Sequence, residues 1–110
     1  MNNVIEKIKN QIEKNTVVLY MKGTPDAPKC GFSSKAAQVL STYYIQSFLY
    51  VDVLVHLDIR YALPKFSNWP TFPQLWIKGK LIGGSDIIIN MHRTGELKIL
   101  IDQVKLQHNI

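Results

Sequence analysis

The run Val17-Val18-Leu19-Tyr20-Met21 is unbroken by any polar residue, and it limits the fold more than any other stretch of the chain. A strand with one wet face alternates apolar and polar residues. A continuous run is expected of a strand covered on both faces. We read a strand over residues 16–21, so helices must pack on both sides of it. The neighbouring segments have that pattern. Ile5, Ile8 and Ile12 fall at three- and four-residue spacing among Lys, Glu, Gln and Asn, which predicts an amphipathic helix over residues 3–14.

Residues 23–29 form a loop with Pro25 and Pro28. Residues 34–44 read as a second helix that buries Ala36, Ala37, Val39 and Leu40, with Tyr43 and Tyr44 as packing residues. Residues 48–53 read as a second strand, and residues 57–67 as a short helix whose regularity Pro64 limits. The segment 68–73 is too proline-rich for a helix. Residues 74–77 and 81–83 read as strands joined by the tight turn Lys78-Gly79-Lys80. Gly84-Ser85-Asp86 opens a fourth helix, since Ser and Asp suit a helix start. Gly95 interrupts it, and residues 96–107 form a last amphipathic helix. The order α-β-α-β-α-β-β-α-α predicts an α/β fold with a small four-stranded mixed sheet flanked by about five helices. The first strand–helix–strand unit should supply its parallel pair.

At 110 residues with 46% hydrophobic composition, the chain is expected to be one domain with a real core. No run of 18 apolar residues exists, so no membrane span is expected. Charged residues near the start exclude a secretory signal, and a cytoplasmic location is expected. The net charge is +5, but the basic residues are scattered singly, without a block or aromatic interleaving. That argues against nucleic acid and for a lysine-rich surface, or for attraction of a small anion near Lys22, Lys29 and Arg60.

The chemistry centres on Cys30, the single cysteine. It follows a strand and a Pro-rich turn and precedes a helix. A thiol at a helix mouth faces unpaired N–H groups and the positive end of the dipole, which lower its pKa. Ser33 stands where a two-cysteine redox motif would carry its partner, so no intramolecular disulfide can form. His56, His92 and His108 show no metal-ligand spacing with one another or with Cys30.

Met21-Lys22-Gly23-Thr24-Pro25 followed by Cys30-Gly31-Phe32-Ser33 resembles the active site of monothiol glutaredoxins of the CGFS type. Trp69-Pro70-Thr71-Phe72-Pro73-Gln74-Leu75 and Gly83-Gly84-Ser85-Asp86 resemble that family's glutathione-binding segments. The resemblance spans roughly residues 4–104 and implies a thioredoxin-like fold, with residues 1–110 forming a single glutaredoxin domain. It implies that Cys30 is the redox-active thiolate, which ligates iron or attacks a glutathione mixed disulfide. It gives Lys22 and Arg60 the task of pairing with glutathione carboxylates. It makes Pro73 a cis-proline, so that the backbone of Phe72 pairs with the peptide like an added strand. Thr71 shapes that loop, and Trp69 packs beside the site. Gly84, Ser85 and Asp86 would hold the zwitterionic γ-glutamyl end. Read as residues alone, the same triplet is also a plain capping motif.

The family often carries a second cysteine where Ser85 stands, and its absence makes turnover depend on external glutathione. The resemblance further implies a bridging 2Fe-2S cluster in a homodimer, a BolA-like partner and iron–sulfur apoprotein recipients. The alternative is a glutathione-dependent thiol–disulfide oxidoreductase, a reaction at which the CGFS type is usually poor. The long loop 24–29 offers a reason, by misplacing the second glutathione.

Overall fold

The computed structural model describes residues 2–45 and 48–108. Its elements run α1 (Asn2–Lys14), β1 (Val17–Met21), α2 (Gly31–Ser41), β2 (Phe48–Asp52), α3 (Leu57–Ser67), β3 (Gln74–Ile77), β4 (Lys80–Gly83), α4 (Ser85–Thr94) and α5 (Glu96–His108). The strands form one mixed sheet in the order β2-β1-β3-β4. β1 and β2 are parallel, with Val17 opposite Phe48 and Met21 opposite Asp52. β1 and β3 are antiparallel, with Val17 opposite Ile77 and Tyr20 opposite Gln74. β3 and β4 close as an antiparallel hairpin with a bulge at Leu75/Trp76.

All five residues of β1 are buried, as its uninterrupted apolar run requires. Side chains alternate across a strand, so the run feeds two cores. Val17, Leu19 and Met21 pack with Ala36, Ala37 and Leu40 of α2, Ile88 of α4, and Leu97, Ile101 and Val104 of α5. Val18 and Tyr20 pack on the other side with Val4, Ile8 and Ile12 of α1, and with Ile59, Ala62 and Leu63 of α3. The buried Tyr20 hydroxyl donates to Gln11 Oε1 at 2.8 Å, and burial raises its pKa. A helical layer therefore covers each face.

The second helix differs from the sequence reading. It occupies Gly31–Ser41 rather than residues 34–44. At its C-terminus the hydroxyls of Ser41 and Thr42 donate to the carbonyls of Gln38 and Val39, at 2.7 Å each, which caps the last turn. Tyr44 therefore lies beyond the helix. It is 89% exposed, not a packing residue. Tyr43 does pack against the α2–α4–α5 core, and its hydroxyl lies 2.8 Å from His92 Nδ1. β2 stops at Asp52, although the Val53 N–H still donates to the Met21 carbonyl at 2.9 Å. α3 continues through Pro64 to Ser67, and Asn68 ends it in the left-handed conformation at φ 53°. No helix among the described residues is long and apolar enough to cross a membrane.

Candidate functional site

The carboxyl ends of β1 and β2 lie at one edge of the sheet. β3 is antiparallel to β1, so its start lies there too, with the end of β4 beside it. Ligand sites of α/β sheets lie at such an edge. Here it opens into a cavity of about 770 Å³, within the range of small-molecule sites. Lys22, Cys30, Arg60, Thr71, Phe72, Pro73, Gly84, Ser85 and Asp86 all line it. Every site residue singled out from the sequence is thus brought to one cavity. Trp69, expected beside the site, lines it as well, with Phe32 and Pro70 of the same motifs and with Tyr61, Pro64 and Ile87, which the sequence reading did not assign to the site.

Cys30 is the N-cap residue of α2, with extended backbone at φ −148° and ψ 136° and no side-chain cap hydrogen bond. Its carbonyl accepts the Ser34 N–H at 2.9 Å and starts the helix, while its partly exposed thiol is in no disulfide. The Cys30 thiol is held below its ordinary range. The backbone N–H of Ser33 is the main cause. The N–H of Phe32, the charge of Lys22 and the hydroxyl of Ser33 act in the same direction, against desolvation. The groups that lower it are the N–H groups of the first turn of α2, which have no partner within the helix.

Ser33 does more than replace a second thiol. It is fully buried, and its Oγ accepts the Lys22 N–H at 3.0 Å, tying α2 to the chain just after β1. Its spacing to Ala36, Ala37 and Leu40 puts a hydroxyl on the apolar stripe of the helix. That signal was present in the sequence. Asp52 also escaped the sequence reading. Its Oδ1 accepts the N–H groups of Gly23 and Leu54, each at 2.9 Å. Between Lys22 and Cys30 the chain closes on itself. Lys29 N–H donates to the Lys22 carbonyl at 3.0 Å, and Ala27 N–H donates to the Thr24 carbonyl at 3.1 Å.

A second wall is the 69–73 segment. The Phe72–Pro73 bond is cis, as the resemblance implied. Gln74, fully buried at the start of β3, donates its Nε2 to the Trp69 carbonyl at 2.9 Å and the Thr71 carbonyl at 3.4 Å. Its Oε1 accepts Trp76 Nε1 at 3.2 Å. One satisfied buried amide thus shapes the loop. The third wall is the start of α4. Gly84 is the N-cap in extended backbone, Ser85 is buried and Asp86 is exposed.

Two polar atoms here, Trp69 Nε1 and Ser85 Oγ, are buried without a hydrogen-bond partner. Native proteins seldom leave such atoms unmet, and both belong to residues of the cavity wall. Exposed apolar surface rims the opening, with Phe32 at 59% and Tyr61 at 69% exposed. No group of three or more His, Cys, Asp or Glu side chains that could hold a metal ion occurs among the described residues.

Comparison with known proteins agrees with this architecture. The family profile described as Glutaredoxin matches residues 17–82. The chain is 58% identical over 104 residues to Glutaredoxin 4 of Buchnera aphidicola subsp. Schizaphis graminum, covering 94% of this chain and 96% of that protein. It is 51% identical over 108 residues to Glutaredoxin 4 of Escherichia coli K12, covering 98% and 93%. A monomeric truncated mutant of Trypanosoma brucei 1-C-Grx1, solved in solution, superposes with a TM-score of 0.81 at 36% identity, over 89% of this chain and 88% of that one. A profile match over more than half of the chain, with relatives more than half identical over nearly its full length, shows that this chain, whose lone cysteine at a helix mouth shares a cavity with a cis-proline, belongs to the glutaredoxin family.

Proposed function

We propose that this chain, acting as a single glutaredoxin domain in the cytoplasm, binds glutathione and carries a 2Fe-2S cluster bridged between two copies. The observation that carries the reading is one thiol per chain, held ready to ionise at the rim of a cavity lined by Lys22, Arg60 and the start of α4. A 2Fe-2S cluster needs four ligands, usually thiolates. One chain offers one. Two chains offer two Cys30 thiolates, and two bound glutathiones complete the set. Such a cluster is cargo, exchangeable because half its ligands are small molecules, and this suits storage, transfer or assembly. Iron–sulfur apoproteins, and a BolA-like protein able to replace a ligand, are the partners this implies.

The cavity suits glutathione in each of its parts. Lys22 and Arg60 offer cations to its carboxylates. Phe72 offers main chain to its peptide unit. The start of α4 and Asp86 offer an anion site and a cation site to the γ-glutamyl zwitterion. Ser85 Oγ and Trp69 Nε1 are polar atoms short of partners on the same walls. The exposed Phe32 and Tyr61 give a second copy something apolar to meet around the sulfur.

The lowered Cys30 thiol also favours a second reading, removal of glutathione from protein thiols. In that reaction the Cys30 thiolate attacks the glutathione sulfur of a mixed disulfide. The S–S bond breaks, the protein thiolate leaves, and Cys30 becomes disulfide-bonded to glutathione. A second glutathione thiolate then releases Cys30 as thiolate and leaves as oxidised glutathione.

Anaerobic reconstitution with iron, sulfide and glutathione separates the two readings. The carrier reading predicts a 2Fe-2S visible spectrum on a dimer that forms only with glutathione. A colourless monomer, under conditions where a known carrier assembles, would overturn it and leave the deglutathionylation reading.

A further inference from the structure

Asp52 ends β2 with one carboxylate oxygen bonded to two amides. The Leu54 N–H, at 2.9 Å, is an ordinary local turn contact. The Gly23 N–H, also at 2.9 Å, lies 29 residues earlier in the chain. Turn formation after β2 does not need that second bond. Its effect falls on the residue just before Gly23, which is Lys22.

The main chain around Lys22 is held at three points. Its N–H donates to Ser33 Oγ of α2, its carbonyl accepts the Lys29 N–H, and the next N–H, that of Gly23, goes to Asp52. The Lys29 bond lies within the loop, as do the Thr24–Ala27 bonds and the Gly23–Pro28 bridge. The Ser33 and Asp52 bonds instead tie the loop to the body of the protein. Of those two, only Asp52 offers a charge, and bonds to ionised acceptors are the stronger kind. Gly23 itself sits at φ 91°, where a Cβ would lie 2.5 Å from the Ala27 carbonyl oxygen, so the turn has little room to shift.

We propose that Asp52 is a positioning residue for Lys22. Its carboxylate fixes the turn after β1 so that the lysine ammonium faces the cavity. This rests on the reading of that cavity as a glutathione site. Asp52 is absent from the cavity wall. It acts through the Gly23 amide, and Lys22 delivers the effect. The sign of the effect distinguishes this role from plain electrostatics. Removing a nearby negative charge should tighten the binding of anionic glutathione, whereas loss of a positioning bond should weaken it.

The test is calorimetric titration of reduced glutathione into the full chain, with D52A, D52N, K22A and the two double variants. D52A is expected to weaken binding about tenfold, and D52N about threefold, because its amide oxygen still accepts from Gly23. In the K22A background, both Asp52 changes are expected to alter affinity less than about twofold. Unchanged or tighter binding by D52A overturns the proposal. So does an equal loss in the wild-type and K22A backgrounds. If D52A does not fold, the D52N pair decides by the same two criteria. Wild-type protein that fails to bind glutathione overturns the reading of the cavity and this purpose with it. Wild-type binding with an indifferent D52A overturns the Asp52 role alone.

Discussion

The two ends of this sheet are built from the same strands and finished in opposite ways. At the end away from Cys30, main-chain carbonyls accept the closing bonds. The Asn15 N–H and Nδ2 both donate to the Gln11 carbonyl, at 3.2 and 2.9 Å. The Lys78 N–H donates to the Thr16 carbonyl at 2.8 Å. Lys78 and Gly79, at φ 51° and 75°, make a two-residue hairpin turn of the kind that matches strand twist. A smaller cavity of about 350 Å³ lies there.

At the Cys30 end, side chains do the holding. Lys22 is tied to Ser33, Gly23 to Asp52, and the Trp69 loop to Gln74. They hold irregular backbone apart around a cavity and leave Trp69 Nε1 and Ser85 Oγ without partners. A sheet end closed through its own backbone carbonyls leaves fewer polar groups for a ligand. One braced by side chains can keep polar groups waiting.

The sharpest way to break this contrast is Cys30→Ser. It is expected to abolish glutathione-dependent cluster assembly while changing stability by less than about 0.5 kcal/mol. Cluster retained by the variant, seen in its visible spectrum, would remove Cys30 from the ligand set. The next contrast is between two glycines. Gly23→Ala meets the Ala27 carbonyl oxygen at 2.5 Å and the Lys29 nitrogen at 2.7 Å at φ 91°, and should cost about 2–4 kcal/mol in urea unfolding. Gly79→Ala shares the positive φ, but its Cβ would meet nothing closer than the Ile12 carbonyl oxygen at 4.0 Å, so about 1 kcal/mol is expected. Equal losses would mean that the loop before Cys30 is no more constrained than the distal turn.

A charge comparison follows. Lys22→Ala should weaken glutathione binding by about 1–2 kcal/mol, whereas Lys14→Ala at the distal end should leave it unchanged. Equal effects would reduce both lysines to a diffuse field.

The smallest expected effect is on pH. Folding lowers the Cys30 pKa, so it favours the thiolate. The resulting stabilisation is fully present above the thiol's unfolded pKa and is lost as pH falls through the lower folded value. Alkylation of native protein should accordingly show a midpoint below that of the urea-unfolded chain. Coincident midpoints would remove the helix-mouth effect.

The element order was legible because the apolar run of β1 and the helical spacing of Ile5, Ile8 and Ile12 are strong periodic signals. The site was legible for another reason. Lys22, Cys30, the Thr71-Phe72-Pro73 run and Gly84-Ser85-Asp86 are local words at the ends of elements, and topology alone brings those ends together. Residues whose partners are distant were not legible. Asp52 reads as a strand-end acid until Gly23 is seen beside it, and Ser33 reads as a missing cysteine until Lys22 is. The end of α2 was misjudged because Ser41 and Thr42 stop the helix through their hydroxyls, while the aromatic pair Tyr43-Tyr44 suggested continued packing.

The most direct measurement is amide chemical-shift mapping with reduced glutathione on isotope-labelled, metal-free protein. The account predicts shifts at Lys22, Phe72, Ser85 and Asp86, with Asn15, Thr16 and Gly79 silent. Shifts centred on the distal turn, or none at any of these amides, would contradict it.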